Sequence, residues 1–432
     1  MSRLRYAVGI FLLTIFVRGV VLTRTSSSEF LDGRQTPAGF RSGDEGINVA
    51  VALSETGRFA DAFGKPTGPT AHVPPFFPFV VSCVFRMAGY GNAAAAIRIG
   101  LALVGFGLLY ASFPLAAGAL GLVAESGGIA GTIAAVYPSF RSSEVFGGRD
   151  EWAAALVLLW LTVLTYKMCT RVRIRLIDTA VFGLGWGLLL HIQPSTLIVL
   201  PAHGLIFLIY SSRIAMKDRL SHGIFAAGII ALVLAPWTIR NHSALGDWVF
   251  VRDNLGLELS VSHGDGAQVS QEANQSTAWY CKVHPICSAA AVNEIRRVGE
   301  INFNRQRRNE ALKWIVGHPE RVITLTLARI AAFWADLPTN PSTFAVRLSC
   351  SLLCWLGLIA MWKTNYRLQA LFLGSALVFY PLVYYAVQYS NRYVIPVCFA
   401  ILLPAGFALH QAYLALRTGV ENPGRTYRAS KI

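Results

Sequence analysis

Charge is scarce in this chain. Only 14% of its 432 residues are Asp, Glu, Lys or Arg, against 54% hydrophobic, and no water-soluble domain of this size needs so much apolar material for one core. No repeat of fixed period runs through it, and no inverted duplication of interrupted helices is visible, which counts against a secondary transporter. The seven cysteines show no zinc-ligand spacing. The first apolar run carries Arg18 and is followed by no A-x-A cleavage site, so it reads as a retained span and not as a secretory signal. Apart from Glu125 and histidines such as His191 and His203, the apolar segments lack ionisable groups, where a transporter or lipid flippase would carry them at mid-membrane depth.

What is present is a series of apolar stretches close to the roughly 20 residues that a helix needs to cross a bilayer. They predict an all-α integral membrane protein of about ten spans, at 6–24, 93–115, 120–139, 151–167, 177–193, 194–210, 221–238, 343–362, 368–387 and 394–416. The third is interrupted by Glu125 and Gly127-Gly128, and the pair flanking Gln193-Pro194 also reads as one long helix. The net charge of +15 does not point to nucleic acid, because the cations sit in short segments between apolar runs. These are Arg3 and Arg5; Lys167, Arg171, Arg173 and Arg175; Arg213, Lys217 and Arg219; Lys363 and Arg367; and Arg417, Arg425, Arg428 and Lys431. One topology, with both termini cytoplasmic, puts all of them inside. Arg18 then lies near the outer end of its span, where snorkelling to headgroups and a part in a site both fit.

Three regions follow: an N-terminal transmembrane module (1–238) containing a first outer loop (25–92), a large second outer loop (239–341), and C-terminal transmembrane helices with a short tail (342–432). In the first loop Phe76 to Met87 is apolar enough to lie in the membrane interface. The second loop holds Cys281 and Cys287 together, and in an oxidising periplasm a disulfide between them and two free thiols are both open.

The most informative stretch is FRSGDEGINVAVALSETGRF, in which Asp44 and Glu45 stand at the mouth of a helix ending near Gly57. Ser42 followed three residues later by Glu45 is also a capping box, and acidic residues suit a first turn. The next segment, GKPTGPTAHVPPFFPFV, brings the chain back to the membrane with rigid prolines and His72.

An acidic pair opening an outer helix, a glycine after its end and a Pro-Pro-aromatic-x-Pro element resemble the first periplasmic loop of the GT-C glycosyltransferases. Within them the pattern is similar to the branch of protein mannosyltransferases and of aminoarabinose transferases acting on lipid A. Other elements resemble the same family: YPSFRSSEVFGGRDEW, with Asp150 and Glu151 opening a span; PWTIRNHSALGDWVFVRDNLGLEL, the start of the large loop; RRNEALKWIVGHPERVITLTLARIAAFW, the amphipathic stretch closing it; and SNRYVIPV, the arginine-bearing turn before the last span. The resemblance implies a GT-C-like bundle with two large periplasmic loops carrying amphipathic helices in the bacterial inner membrane. It also implies transfer of a sugar from a polyprenyl-phosphate-linked donor to an extracytoplasmic acceptor, a lipid, glycan or protein, with inversion.

A polyprenyl phosphate is already a good leaving group, so one base suffices, unlike glycoside hydrolysis with its two carboxylates. The family assigns that base to the aspartate of the acidic pair, here Asp44 with Glu45 beside it. Arg240, Arg392 and Arg98 are the candidates for the departing phosphate, and for each a headgroup contact is the alternative. His72, Asp150 and Glu151 are further donor-binding candidates; capping is the other account of Asp150 and Glu151. Some relatives use a divalent metal, for which His72, Asp44 and Glu151 offer ligands without any diagnostic spacing. His242, His263, His284 and His318 read as ordinary loop residues. Two departures stand out: the aminoarabinose branch has Glu-Lys before the double proline where this chain has His72-Val73, and many relatives have arginine where Gln193 precedes Pro194.

Overall fold

The computed structural model describes residues 2–23, 33–36, 39–42, 44–137, 150–336 and 341–421. Residues 138–149 of the second outer motif, and the tail cations Arg425, Arg428 and Lys431, lie outside them. The fold is predominantly helical, as the hydropathy predicts, with one addition to the all-α expectation. In the first loop Gly33–Thr36 pairs antiparallel with Gly39–Ser42, Gly33 opposite Ser42, just before the acidic pair.

Seven helices among the described residues are long and apolar enough to cross a membrane. Three shorter apolar ones, Phe76–Ala88, Leu176–Ile192 and Pro194–Tyr210, accompany them. The sequence count of about ten therefore included segments that are helical but short. Ala124–Val136 has 13 residues, too few to cross at 1.5 Å per residue, and its small residues serve close packing instead. The chain after Ile192 breaks at Gln193-Pro194 into one 3-10 turn, Pro194–Val199, before Leu200–Tyr210 resumes. Proline has no amide proton to continue the first helix, so the break is written into the sequence.

Burial sorts the long helices. In the most apolar stretch of Asn391–Arg417 78% of residues are buried, and in Asn92–Ala119 61%, whereas in Met216–Leu245 the share is 17%. The first two form the centre, around Phe106, Tyr110, Phe113, Trp186 and Phe399. The last turns Ile224, Leu232 and Ile239 outward, as a lipid-facing helix should. Helices approach closely where side chains are small: a Cβ built on Gly357 would lie 2.0 Å from the Pro404 carbonyl oxygen, so only glycine lets these two backbones meet.

The two loops expected to lie outside pack together as one body. Val49, Leu53, Phe59 and Phe63 of the first share a core with Trp237, Leu257, Val261, Tyr280, Ile295 and Phe303 of the seventh predicted span and the second loop. The end of Met216–Leu245 grips the chain as it turns back. Trp237 Nε1 donates to the Val251 carbonyl at 2.9 Å, Thr238 Oγ1 to Phe250 at 3.0 Å and Asn241 Nδ2 to Val249 at 3.0 Å. The second loop is itself helical, ending in Glu300–Gly317 and Pro319–Ala335 with a break at His318.

Candidate active site

Between these loops and the ends of the helices lies a chamber of about 400 Å³. Its wall collects residues from segments far apart in the chain: Asp44 and Glu45 at the start of Glu45–Thr56, His72 to Pro78 of the proline-rich element, Asp150 and Glu151 at the start of Glu151–Thr170, the Gln193 break, Arg252 to Glu258, Tyr280 and His284, and Val383 to Tyr393. Among the described residues, its lining includes five carboxylates (Asp44, Glu45, Asp150, Glu151, Glu258) and the guanidiniums of Arg252 and Arg392.

Asp44 is buried and is the N-cap of its helix. Its Oδ1 accepts from Gly46 N at 2.8 Å and from Ile47 N at 3.2 Å. Capping and lining are therefore not alternatives here, since the same carboxylate ties off the helix and borders the chamber. The capping box expected from Ser42 gives way to this Asp44 cap, because the helix begins at Glu45 and the cap is the residue before it. Gly46 is obligatory for sterics: a Cβ there would fall 2.8 Å from the Phe77 ring and 3.2 Å from Asp44 Oδ1.

Arg392 reaches across to Glu151, with Nη1 3.6 Å from the carboxylate, and its Nη2 donates to Gln271 Oε1 and to the Tyr393 hydroxyl, each at 3.3 Å. Glu151, at the start of Glu151–Thr170, thus meets the arginine-bearing turn in space. Gln193 donates to the Ser195 hydroxyl at 2.9 Å and the Tyr384 hydroxyl at 2.8 Å at the chamber edge.

Two sequence candidates lie elsewhere. Arg98 is buried in the first turns of Asn92–Ala119 and does not line the chamber. Arg240 lines a neighbouring apolar groove of about 660 Å³ with Phe76, Phe79, Trp152, Leu188 and Trp237. Its guanidinium lies over the Trp237 ring at 5.0 Å and the Phe59 ring at 5.2 Å, and it donates to the Thr70 carbonyl at 2.7 Å. Groove and chamber share Ile192, and Phe76 and Trp152 of the groove adjoin Phe77 and Glu151 of the chamber in sequence.

The segment carrying His72 is fastened from several sides. Besides Arg240 on Thr70, Arg252 Nε donates to the His72 carbonyl at 2.7 Å and Asp253 N to the Ala71 carbonyl at 2.9 Å. Glu300 accepts from Ala71 N at 2.7 Å through Oε1 and from the Thr70 hydroxyl through Oε2. Burial, before any other influence, pushes the Glu300 carboxyl up to about 7 from an ordinary 4.5, with Asp253 adding to the effect and Arg240 opposing it. Folding therefore tightens proton binding at Glu300, and its contribution to stability is full below pH 4.5 and is lost as pH rises through 7. Asp253, pushed up to about 6 by burial, slopes the same way. The Glu300→Gln protein is expected to lose its share of this slope, remaining more stable than the parent by up to about 3 kcal/mol at pH 8.5 and similar at pH 4.5, as read from melting in detergent at the two pH values. Equal slopes in both proteins would show that Glu300 is not held protonated.

Three residues of the chamber wall escaped sequence reasoning. Arg252 and Glu258 were inside a quoted motif yet carried no separate signal; an Arg-Asp-Asn run just past a span end is the only hint. His284, expected to be an ordinary loop residue, is instead buried against the site. Its Nε2 is 3.4 Å from Glu45 Oε1 and its ring stacks on Tyr280 at 4.6 Å. The usable hint was its place between Cys281 and Cys287, which are bonded to each other, so His284 sits in a covalently closed loop. Burial holds both imidazoles neutral at pH 7: it lowers His284 to about 3, and it lowers His72 well below the usual value, with Arg252 and His284 adding to the effect at His72.

No family model and no curated protein sequence matches the chain. By shape it is similar to solved structures from Archaeoglobus fulgidus. One is the archaeal oligosaccharyltransferase AglB in complex with an inhibitory peptide and a dolichol-phosphate, at 12% identity and TM-score 0.57, with 98% of this chain and 52% of that chain covered. A second is the oligosaccharyltransferase in complex with Zn and sulfate, at 13% identity and TM-score 0.57, covering 96% and 50%. A third, tethered through a disulfide to an acceptor peptide containing the NVT sequon, has 13% identity and TM-score 0.56, covering 97% and 51%. The chain spans about half the length of these structures. Seven helices among the described residues are long and apolar enough to cross a membrane, and the likeness in shape gives the chain the fold of these structures, a GT-C fold.

Proposed function

We propose that the protein transfers a sugar from a polyprenyl-phosphate-linked donor to an acceptor on the outer side of a bacterial inner membrane. The observation that carries this reading is the pairing of a chamber lined by carboxylates and arginines with an apolar groove beside it. A long prenyl tail remains in lipid and groove, where each buried CH₂ contributes about 0.8 kcal/mol, and only the phosphosugar enters the chamber.

Orientation follows from the cations. Glu151–Thr170 starts at the chamber and runs about 30 Å at 1.5 Å per residue before reaching Arg171. Leu176–Ile192 returns from Arg175 to Gln193 at the chamber, and the chain after Arg367 likewise climbs to Val383. The basic clusters thus gather at the end remote from the chamber, and the positive-inside rule puts that end, with both termini, in the cytoplasm.

Asp44 is the general base. The acceptor hydroxyl gives its proton to the Asp44 carboxylate, whose Oδ1 also caps the helix. The acceptor oxygen bonds to the anomeric carbon from the face opposite the phosphate, and the bond from that carbon to the phosphate oxygen breaks with its electrons on the phosphate. Arg392 and Arg252 stabilise the charge that develops there. Glu45 orders the wall beside Asp44, and Glu151 with Asp150 orients the sugar. Arg240 works one step back, holding Thr70 and closing the groove. The neighbours' dolichol-phosphate and acceptor peptide support a lipid-linked donor and a separate acceptor. The protein mannosyltransferase branch fits better than lipid A modification with aminoarabinose, because His72-Val73 replaces the Glu-Lys pair of the latter.

The test is a panel of polyprenyl phosphates carrying different sugars, offered to the purified protein in lipid nanodiscs, with binding and product both measured. One donor is expected to bind at micromolar concentration and to yield a glycosylated product with membrane or periplasmic acceptors. Absence of binding by every member, sugar-free polyprenyl phosphate included, would overturn the reading.

A further inference from the structure

We propose that a second groove, at the end of the bundle remote from the chamber, binds one anionic phospholipid of the adjoining leaflet. It holds about 370 Å³ and lies among Glu151–Thr170, Leu176–Ile192, Leu200–Tyr210 and the first half of Met216–Leu245. It shares no lining residue with the groove beside the chamber. Apart from Thr165, Thr179 and His222 its wall is apolar, with Met168, Phe182, Phe207, Leu220 and Ile230 among the lining side chains.

Three observations fit the groove to that occupant. The first is length. From Leu220 to Ile230 the lining helix climbs about 15 Å at 1.5 Å per residue, which is half of a hydrocarbon core of roughly 30 Å and so the depth of one leaflet. The second is room. Gly204 and Gly223 line the groove from two different helices, and a Cβ added to either would meet nothing within 4 Å. A Cβ on Gly183, by contrast, would fall 2.8 Å from Ile229 Cβ, so Leu176–Ile192 and Met216–Leu245 are tightly packed there and the opening is local.

The third is charge at the mouth. Residues 167–179 and 211–222, where the four helices end or begin, carry seven cations against two carboxylates, Asp178 and Asp218. Asp178 is already taken by Arg171 and Arg175, at 2.5 and 3.1 Å. Arg213, Lys217 and Arg219 form no ion pair among the described residues. Arg219 is fixed at the rim, donating to the carbonyls of Ile214 at 2.7 Å and of the groove residue Leu208 at 2.5 Å. Arg213 Nη1 lies 3.5 Å from the Thr170 carbonyl oxygen, and Lys217 is exposed. The His222 ring, its Nδ1 2.7 Å from Thr179 Oγ1, adds a polar group where the groove begins. An apolar groove alone accepts any acyl chain; unpaired cations at its mouth select a lipid whose headgroup carries net negative charge.

The inference stands apart from sugar transfer, and its test needs no donor. The full chain, purified in detergent and stripped of lipid, is titrated with dioleoyl phosphatidylglycerol and separately with dioleoyl phosphatidylcholine, which has the same tails. Bound lipid is counted by native mass spectrometry. One phosphatidylglycerol per chain is expected, held at least roughly 10-fold more tightly than phosphatidylcholine, not displaced by inorganic phosphate, and raising the melting temperature. Gly204→Leu fills the groove from a helical position with open space around it, so it should abolish the single adduct while the lipid-free protein melts no lower than the parent. Gly223→Leu does the same from the facing side of the argument's other helix and serves if Gly204→Leu fails to fold. Arg213→Gln and Lys217→Gln should each weaken phosphatidylglycerol binding about 5-fold and leave phosphatidylcholine unchanged. Lys363→Gln, an exposed cation at another helix end, should bind as the parent does. Equal affinity for the two lipids, displacement by inorganic phosphate, or a single phosphatidylglycerol still held by the folded leucine variants would overturn the site whether or not a sugar donor binds.

Discussion

The Asp44→Asn protein is expected to fold and melt close to the parent and to transfer sugar roughly 10²- to 10⁴-fold more slowly. The separation of fold from chemistry comes from the cap. Asn is as good an N-cap as Asp, and its Oδ1 can still accept from Gly46 N and Ile47 N, so only the charge near the helix N-terminus is lost, about 0.3–1 kcal/mol. What Asn cannot do is take a proton from an acceptor hydroxyl. Asp44→Ala is the companion variant, losing the cap as well, about 1 kcal/mol, with no further loss of transfer. Initial rates with the donor found by panel screening, normalised to folded protein, decide the matter. Full activity in Asp44→Asn would remove the base from the mechanism and leave Asp44 as a cap alone.

Asp44 was legible in the sequence because its signal is local. An acidic pair before an apolar helix and after a turn is visible within four residues, and so are the hydropathy of the spans, the proline break at Gln193-Pro194 and the neighbouring cysteines. What could not be read is proximity between segments. Arg240 and Arg392 looked alike as arginines at span ends, yet Arg392 meets Glu151 in the chamber while Arg240 turns onto Trp237 and Phe59 beside the groove. His284 carried no periodicity or motif of its own. It matters because a fold brings the second loop down onto the first, a contact more than 200 residues long in the chain. The count of about ten spans took in Ala124–Val136, which is apolar because other helices cover it, and composition alone cannot distinguish a helix buried in protein from one immersed in lipid.

The arginine that remains in the chamber gives the sharper experiment, because its two roles predict different rescues. Arg392→Gln takes one cation from Glu151, whose side chain is 7% exposed, and should cost up to roughly 3 kcal/mol of stability, since a buried carboxylate loses a cationic neighbour. It should also slow transfer by roughly 10²- to 10³-fold if the guanidinium stabilises the departing phosphate. Adding Glu151→Gln removes the carboxylate that Arg392 faced, so the double variant should regain most of the melting temperature. Transfer should not return with it, because no second amide supplies a positive charge to the leaving group. The readouts are melting in detergent and kcat/KM for the donor in the parent, both single variants and the double. Recovery of both quantities together would mean that Arg392 serves only to neutralise Glu151. The phosphate would then have to be met by Arg252, whose Nε is already committed to the His72 carbonyl and whose Nη2 lies 3.8 Å from Glu258.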